Sequence, residues 1–282
     1  MGILIINKPK GYTSHDVVAK VKKILNIKKV GHTGTLDPNA TGVLPLLLND
    51  STKLSKYLIE HDKEYEVTLK LGIKTDTADI EGNILEEKQV QNISIEQIEE
   101  TLKSFEGKQE QYPPMYSAIK VNGKKLYEYA RNGEKVEIKP RNIEIYRINL
   151  INFNDKESEI QFKVICSKGT YIRSLCEDIA KKLNTIGYMK ELNRTKVGRF
   201  KIEDAITLEE LENSKEQKII AMENLLSNLP NINLNEKQLE KFLNGVQISV
   251  DKEDGIYNIY TNKYLGTGIV KNRKIKRDII LK

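Results

Sequence analysis

The segment Lys63–Leu71 alternates polar and apolar residues, with Tyr65, Val67, Leu69 and Leu71 on one face. A period of two means a strand buried on one side and wet on the other, because successive side chains leave a strand on opposite faces. Such a strand needs partners, and the chain offers them. Ile143, Ile145 and Ile148 within 136–150, and Ile160, Phe162, Val164 and Cys166 within 159–167, read as two adjoining strands. Residues 3–6 form a short buried strand closed by Asn7-Lys8-Pro9-Lys10-Gly11, and 44–48 is another apolar segment. Helical spacing places Val17, Val18, Val21, Ile24 and Leu25 on a helix capped by Thr13-Ser14. It also predicts helices over 93–105, begun by Ser94, and over the segment holding Ile179, Ala180 and Leu183. Further helices are expected over 51–60, 207–211, 218–226 and 236–243. An Asn-rich break at 231–235 suggests a domain boundary. Beyond it, 257–260, 263–270 and 274–281 read as a small, basic β unit.

The 282 residues suffice for one large domain and a small one. A net charge of +6 permits a polyanionic partner without requiring one. Cys166 and Cys176 form no C-x-x-C pair, so neither a disulfide framework nor a zinc site is indicated. The loop 72–82 carries Asp76, Asp79 and Glu81 but lacks the alternating oxygens of a calcium loop. No stretch approaches the ~20 apolar residues that span a bilayer. The short apolar run at the start has no basic region ahead of it, unlike a signal peptide. A cytoplasmic enzyme or RNA-binding protein is expected.

Three stretches carry chemistry. The first is Gly31-His32-Thr33-Gly34-Thr35-Leu36-Asp37-Pro38-Asn39-Ala40-Thr41-Gly42-Val43-Leu44-Pro45. Pro38 pushes Asp37 out of the helical region, so its carboxylate is either aimed from a stiff turn or part of a common Asp-Pro turn. In the second, 109–133, Tyr112, Tyr116, Tyr127 and Tyr129 alternate with Lys120, Lys124, Lys125 and Arg131. Two readings stand: stacked bases with paired phosphates, or a packed hairpin with amphipathic tyrosines. In the third, a strand, a glycine turn and a helix start put Tyr171 and Arg173 at the end of a sheet. Arg173 faces either a substrate or Glu177 one turn on. Tyr65 reads as core on pattern alone. The stretch from Met189 to Thr195, followed by Val197-Gly198-Arg199-Phe200, is basic and compact, with no element assigned.

The residues from His32 to Leu44 resemble the catalytic motif of the TruB-type tRNA pseudouridine-55 synthases. Other motifs follow in family order. Asn7-Lys8-Pro9-Lys10-Gly11-Tyr12-Thr13-Ser14 is similar to the amino-terminal motif. Lys63-Glu64-Tyr65, with Gly72 and Thr75-Asp76-Thr77-Ala78-Asp79, is similar to the second. Gln111-Tyr112-Pro113-Pro114-Met115-Tyr116-Ser117-Ala118 with Lys120 resembles the RNA-gripping thumb. Gly169-Thr170-Tyr171-Ile172-Arg173-Ser174-Leu175 resembles the arginine motif, and Leu192-Asn193-Arg194-Thr195 the motif that closes the pocket. The match covers roughly 1–210, and the tail is a weaker match to the PUA-like end of bacterial members. Asn193 departs from the pattern, where a basic residue is more usual.

The resemblance implies an α+β pseudouridine-synthase fold, with a mixed, mainly antiparallel central sheet flanked by helices and loops. Residues 1–230 would form the catalytic domain, with a thumb at 109–133, and 231–282 a small β-rich, PUA-like RNA-binding domain. The implied activity isomerises uridine 55 in the tRNA T arm, without cofactor or metal. The base is flipped, its C1′–N1 bond broken, the ring rotated and rejoined through C5. Asp37 would attack the ribose C1′, add to the ring or take the C2′ proton, and Arg173 would hold it ionised. The resemblance places Tyr65 against the flipped ring, which reverses the pattern reading. It assigns His32, Tyr171, Leu192, Lys8 and Lys53 to substrate binding. It implies a cytoplasmic monomer with tRNA as partner, no membrane and no obligatory protein partner. The rival expectations are a non-catalytic RNA-binding or tRNA-folding module, and a synthase acting on another RNA.

Overall fold

The computed structural model describes residues 2–58, 61–214 and 218–281. Strand β1 (Gly2–Lys8) leads into helix α1 (Ser14–Leu25), followed by β2 (Val30–His32) and β3 (Thr41–Leu48). A 3-10 helix (Asn49–Tyr57) precedes β4 (Lys63–Leu71), the hairpin β5 (Ile73–Thr75) and β6 (Ile84–Glu87), α2 (Ile95–Lys103) and β7 (Gly107–Gln111). The segment expected to form a thumb holds β8 (Lys120–Val121), β9 (Lys124–Lys125) and α3 (Leu126–Arg131). Then come β10 (Arg141–Asn154), β11 (Glu159–Cys166), α4 (Ile172–Lys182), β12 (Gly187–Val197) and β13 (Phe200–Lys201). Helices α5 (Leu208–Asn213) and α6 (Met222–Leu225) lead to β14 (Asn231–Asn233), α7 (Glu236–Leu243), β15 (Ile248–Ser249), β16 (Gly255–Tyr260), β17 (Tyr264–Lys271) and β18 (Lys274–Ile280).

The central sheet runs β1-β3-β12-β4-β11-β10-β7, with β2 beside β3 and β13 beside β12. Every pairing in it is antiparallel except β12 with β3. The fold is α+β, as expected. Val67, Leu69 and Leu71 of β4 meet Phe162 and Val164 of β11 in one apolar layer under α2 and α4. Residues 231–280 build a second sheet, β14-β16-β17-β18-β15, around Phe242, Ile259 and Ile275. That sheet is not free of the first: Ile279, Tyr264 and Leu281 pack with Ile3, Leu47 and Leu54.

Four expectations are corrected. The stretch 189–195, to which the sequence assigns no element, belongs to β12, which lies in the middle of the sheet. The helix expected over 51–60 is a 3-10 helix ending at Tyr57. Leu48 ahead of it gives no side-chain cap, and residues 59–60 lie outside the described set. Only 222–225 of the helix expected over 218–226 forms, because Ile220 exchanges two backbone hydrogen bonds with Ile3 and is held extended. The Asn-rich break at 231–235 contains β14, paired in parallel with β16.

Gly42 shows how tightly β12 meets β3. Its φ is +106°, and a Cβ there would lie 2.3 Å from the Arg194 carbonyl and 2.7 Å from the Arg194 nitrogen. Both contacts are backbone and cannot swing away. We expect Gly42→Ala to destabilise the protein by about 2–3 kcal/mol, read as a lowered urea midpoint at unchanged slope. An unchanged midpoint would show that the two strands can part without cost.

Candidate active site

Asp37 stands on the loop between β2 and β3, and that loop is clamped from two sides. Ser14, at the start of α1, accepts a hydrogen bond from Leu36 N (2.9 Å) and donates to Leu36 O (3.2 Å). The Lys8 ammonium donates to the carbonyls of Pro38 (2.9 Å), Pro9 (2.9 Å) and Tyr12 (2.5 Å). From the sheet side, the buried Arg194 of β12 donates through Nε to Val43 O (2.8 Å) and through Nη2 to Gly34 O (3.1 Å). The Tyr65 hydroxyl lies beside its guanidinium. A loop rich in turn formers thus becomes a fixed platform, with backbone groups satisfied by side chains from three elements.

The Asp37 carboxylate meets Arg173 from the first turn of α4. Arg173 Nε lies 3.1 Å from Asp37 Oδ2, and Nη2 donates to Oδ1 at 3.4 Å. This fork-to-carboxylate pairing fixes direction as well as charge. Arg173 also donates to Thr77 O (3.2 Å) and Tyr116 O (3.0 Å), and its Nη1 lies 3.7 Å from Asp79 Oδ2. The alternative partner Glu177 is not used. A cavity of about 620 Å³ opens over the pair, with Asp37, Tyr65, Tyr171, Arg173 and Leu192 in its wall. Asp37's side chain remains 35% exposed, enough to be reached, while that of Arg173 is 7% exposed.

Tyr65 belongs both to the core and to the cavity wall. It is 7% exposed and part of the apolar layer, yet it also faces the cavity. Burial pushes its phenol up to about 12, so it stays protonated near neutrality. Among the described residues, no group of three or more His, Cys, Asp or Glu is arranged to hold a metal ion.

Residues 22–172 match the model of the TruB family pseudouridylate synthase N-terminal domain, and 173–250 that of the tRNA pseudouridylate synthase B C-terminal domain. The chain belongs to the TruB family of pseudouridylate synthases. A "tRNA pseudouridine synthase B" of Caldanaerobacter subterraneus subsp. tengcongensis is 44% identical, covering 98% of this chain and 97% of that one. The same enzyme name belongs to a Clostridium kluyveri protein, 45% identical over 98% of this chain and 97% of its own. Among solved structures, a chain of a Cbf5–Nop10–Gar1 complex superposes with a TM-score of 0.72 at 27% identity. It covers 99% of this chain and 84% of its own.

Within this TruB-family site, not every residue the sequence suggested reaches the cavity. His32 sits one residue before the wall, its ring edge-on to His15 at 5.9 Å and its Nδ1 buried without a partner. Burial, then the neighbouring His15, pushes its imidazole below the usual range. Lys8 is 0% exposed and its ammonium is taken up by three carbonyls, so it supports the loop and offers no free charge to a substrate. Burial lowers its pKa to about 8, which such a carbonyl cage tolerates. Lys53 is not in the cavity wall: it bonds Asp50 (3.0 Å) and Ile280 O (3.1 Å), tying the 3-10 helix to β18. In the thumb, Arg131 and Lys125 lie over the Tyr127 ring and Lys124 over Tyr129. The tyrosine–cation alternation is therefore largely internal packing, and Tyr112, 64% exposed, is the tyrosine left open for stacking.

Sequence reasoning missed Asp79 and Arg194 as site residues. Burial raises Asp37 above the ordinary carboxylate range. Arg173 opposes that rise, Asp79 adds to it, and Lys8 opposes it. A reaction needing ionised Asp37 is active above that raised pKa and fails as pH falls through it. We expect the acid limb of kcat/KM to lie above the range of an exposed aspartate. In Asp79→Asn the limb should move to lower pH, because a negative neighbour is gone. An unmoved limb in a pH–rate series would mean that Asp37 is not the titrating group.

Proposed function

We propose that this chain converts uridine 55 of the tRNA T arm to pseudouridine, with Asp37 as its essential carboxylate. Isomerisation of tRNA uridine to pseudouridine is the activity named in its near-full-length relatives. The observation that carries the assignment of roles is the forked Arg173–Asp37 pair, exposed on one side to a cavity walled by Tyr65, Tyr171 and Leu192. A base held inside a duplex or folded loop cannot reach that carboxylate. The nucleotide must be everted, at a cost of a few kcal/mol that stacking on a ring offsets. Tyr65 and Leu192 supply the apolar faces. The reaction breaks C1′–N1, forms C1′–C5, releases the C5 proton and protonates N1. It is an isomerisation whose atoms balance without a co-reactant.

Arg173 keeps Asp37 ionised in a site that would otherwise favour the acid form. The carboxylate is then available to the ribose C1′, the ring or the C2′ proton. The neutral Tyr65 hydroxyl, kept protonated by burial, acts as wall and donor and not as a base. Residues 1–230 serve as the catalytic domain and 231–282 as a PUA-like RNA-binding unit, in a monomer that works in the cytoplasm without a protein partner. A non-catalytic RNA-folding role is not favoured, since it has no use for a forked carboxylate facing a cavity. Mapping modified uridines in tRNA from cells lacking the protein tests the assignment. Loss of pseudouridine at position 55 of the T arm is expected, and loss only at other positions or in other RNAs would overturn it.

A further inference from the structure

Residues 112–140 leave the sheet after Gln111 and return at Arg141, and these two are register partners across β7 and β10. The thumb is therefore a flap hung on one rung of the sheet edge. Much of its hydrogen bonding is internal: Tyr127 N donates to Ser117 O, Leu126 N to Ile119 O, and the Tyr129 hydroxyl to Val121 O. Its stem is tied to the body by four hydrogen bonds to the first turn of α4 and the residue that caps it. Gln111 Nε2 donates to Tyr171 O (3.0 Å), and Gln111 Oε1 accepts from Tyr171 N (2.8 Å). Ser174 Oγ donates to Tyr112 O (2.9 Å), and Arg173 Nη2 to Tyr116 O (3.0 Å).

Gln111 is 4% exposed, and both polar ends of its amide are used on one residue. A side chain that spans the N–H and C=O of a single residue fixes both of that residue's peptide planes, as a neighbouring strand would. Tyr171 is the cap of α4, extended and with no side-chain cap of its own. The amide thus sets the direction in which α4 begins. Arg173 follows on the same turn, and its Nη2 serves both Tyr116 O in the stem and Asp37 Oδ1 in the site. If the stem moves from α4, the guanidinium loses an acceptor that aims it.

We propose that Gln111 is a positioning residue: through Tyr171 it holds the thumb stem and the Arg173 guanidinium in one frame, so the Arg173–Asp37 geometry is complete only when the thumb is seated. The inference rests on the roles given to Asp37 and Arg173 above. RNA gripped by the thumb favours the seated state, and the seated state aims the carboxylate. Binding and chemistry are therefore linked through this rung.

Gln111→Met keeps the length of the side chain and removes both bonds. The single-turnover rate at saturating enzyme should fall about 10- to 30-fold, as small misplacements of catalytic groups do, with the tRNA Kd within about three-fold. The acid limb of the rate should move to higher pH, because a loosened guanidinium stabilises ionised Asp37 less. In an Arg173→Lys background the same change should cost less than about two-fold, its route to Asp37 being already cut. Ser174→Ala should shift rate and limb in the same directions by a smaller amount, and it carries the test if Gln111→Met does not fold. A wild-type rate, a fixed acid limb, or a full loss that persists in the Arg173→Lys background would overturn the proposal and leave Gln111 a structural amide. Asp37→Asn run alongside separates the two failures. Turnover by that variant sinks the catalytic reading, whereas an inactive Asp37→Asn beside a wild-type Gln111→Met sinks only the coupling.

Discussion

Asp37→Asn should abolish turnover, by at least about 10⁴-fold, while tRNA affinity stays within about three-fold. The amide keeps the size of the carboxyl and still offers Arg173 an oxygen, so the clamped loop and the cavity keep their shape. What it loses is the charge and basicity that every version of the mechanism needs. Binding does not depend on that one group, because affinity for RNA is spread over many phosphate and stacking contacts. Tritium release from 5-tritiated uridine in tRNA, measured beside filter binding, reads both quantities. A variant that released tritium near the wild-type rate would falsify the role of Asp37. An equal loss of binding and rate would recast it as an RNA contact.

Arg173→Lys should lower the rate by about 10³-fold with less than about a ten-fold loss in affinity. The guanidinium occupies both oxygens of Asp37 and two carbonyls, and it stands 3.7 Å from Asp79. An ammonium on a flexible stem keeps the charge but cannot reach those acceptors at once, nor fix the plane of the carboxylate. Retained charge should keep the variant folded, which a melting curve checks. Arg173→Met removes the charge and should melt lower, since it leaves Asp37 and Asp79 facing each other unscreened. If the lysine variant lost binding and rate equally, the arginine would be an RNA anchor and not the partner of Asp37.

Much of this was legible in the chain because period and burial agreed. β4 buries Tyr65, Val67, Leu69 and Leu71 as its alternation requires, with Thr68 the one residue of the other face that is also buried, and α1 and α2 carry the capping boxes their sequences advertise. β12 was illegible for a physical reason. Its inward residues include Arg194, a charge that is buried because the backbone carbonyls of Val43, Thr35 and Gly34 receive it. Bulges between Met189 and Glu191 and between Arg194 and Lys196 also break the alternation. In the site, Asp37 and Arg173 stood out from their motifs, but Asp79 read as one acidic loop residue among several. Only folding brings it to Arg173. Lys8 and Lys53, assigned to substrate binding by the resemblance alone, have their ammonium groups engaged within the protein: Lys8 by three carbonyls, Lys53 by the Asp50 carboxylate and the Ile280 carbonyl.

The place of β12 also bears on how the protein is made. It parts β3 from β4 in space but follows both in the chain. Until residues 187–197 have been made, the β1–β3 pair and β4 have nothing between them. Neither half can acquire its final neighbour until the last central strand emerges. From the completion of β4 at Leu71 to the arrival of β12 at Gly187, the nascent polypeptide therefore carries facing flanks of β3 and β4 that nothing seals. Catalytic geometry arises at one late moment, when Arg194 slots between them and the Asp37 loop is gripped.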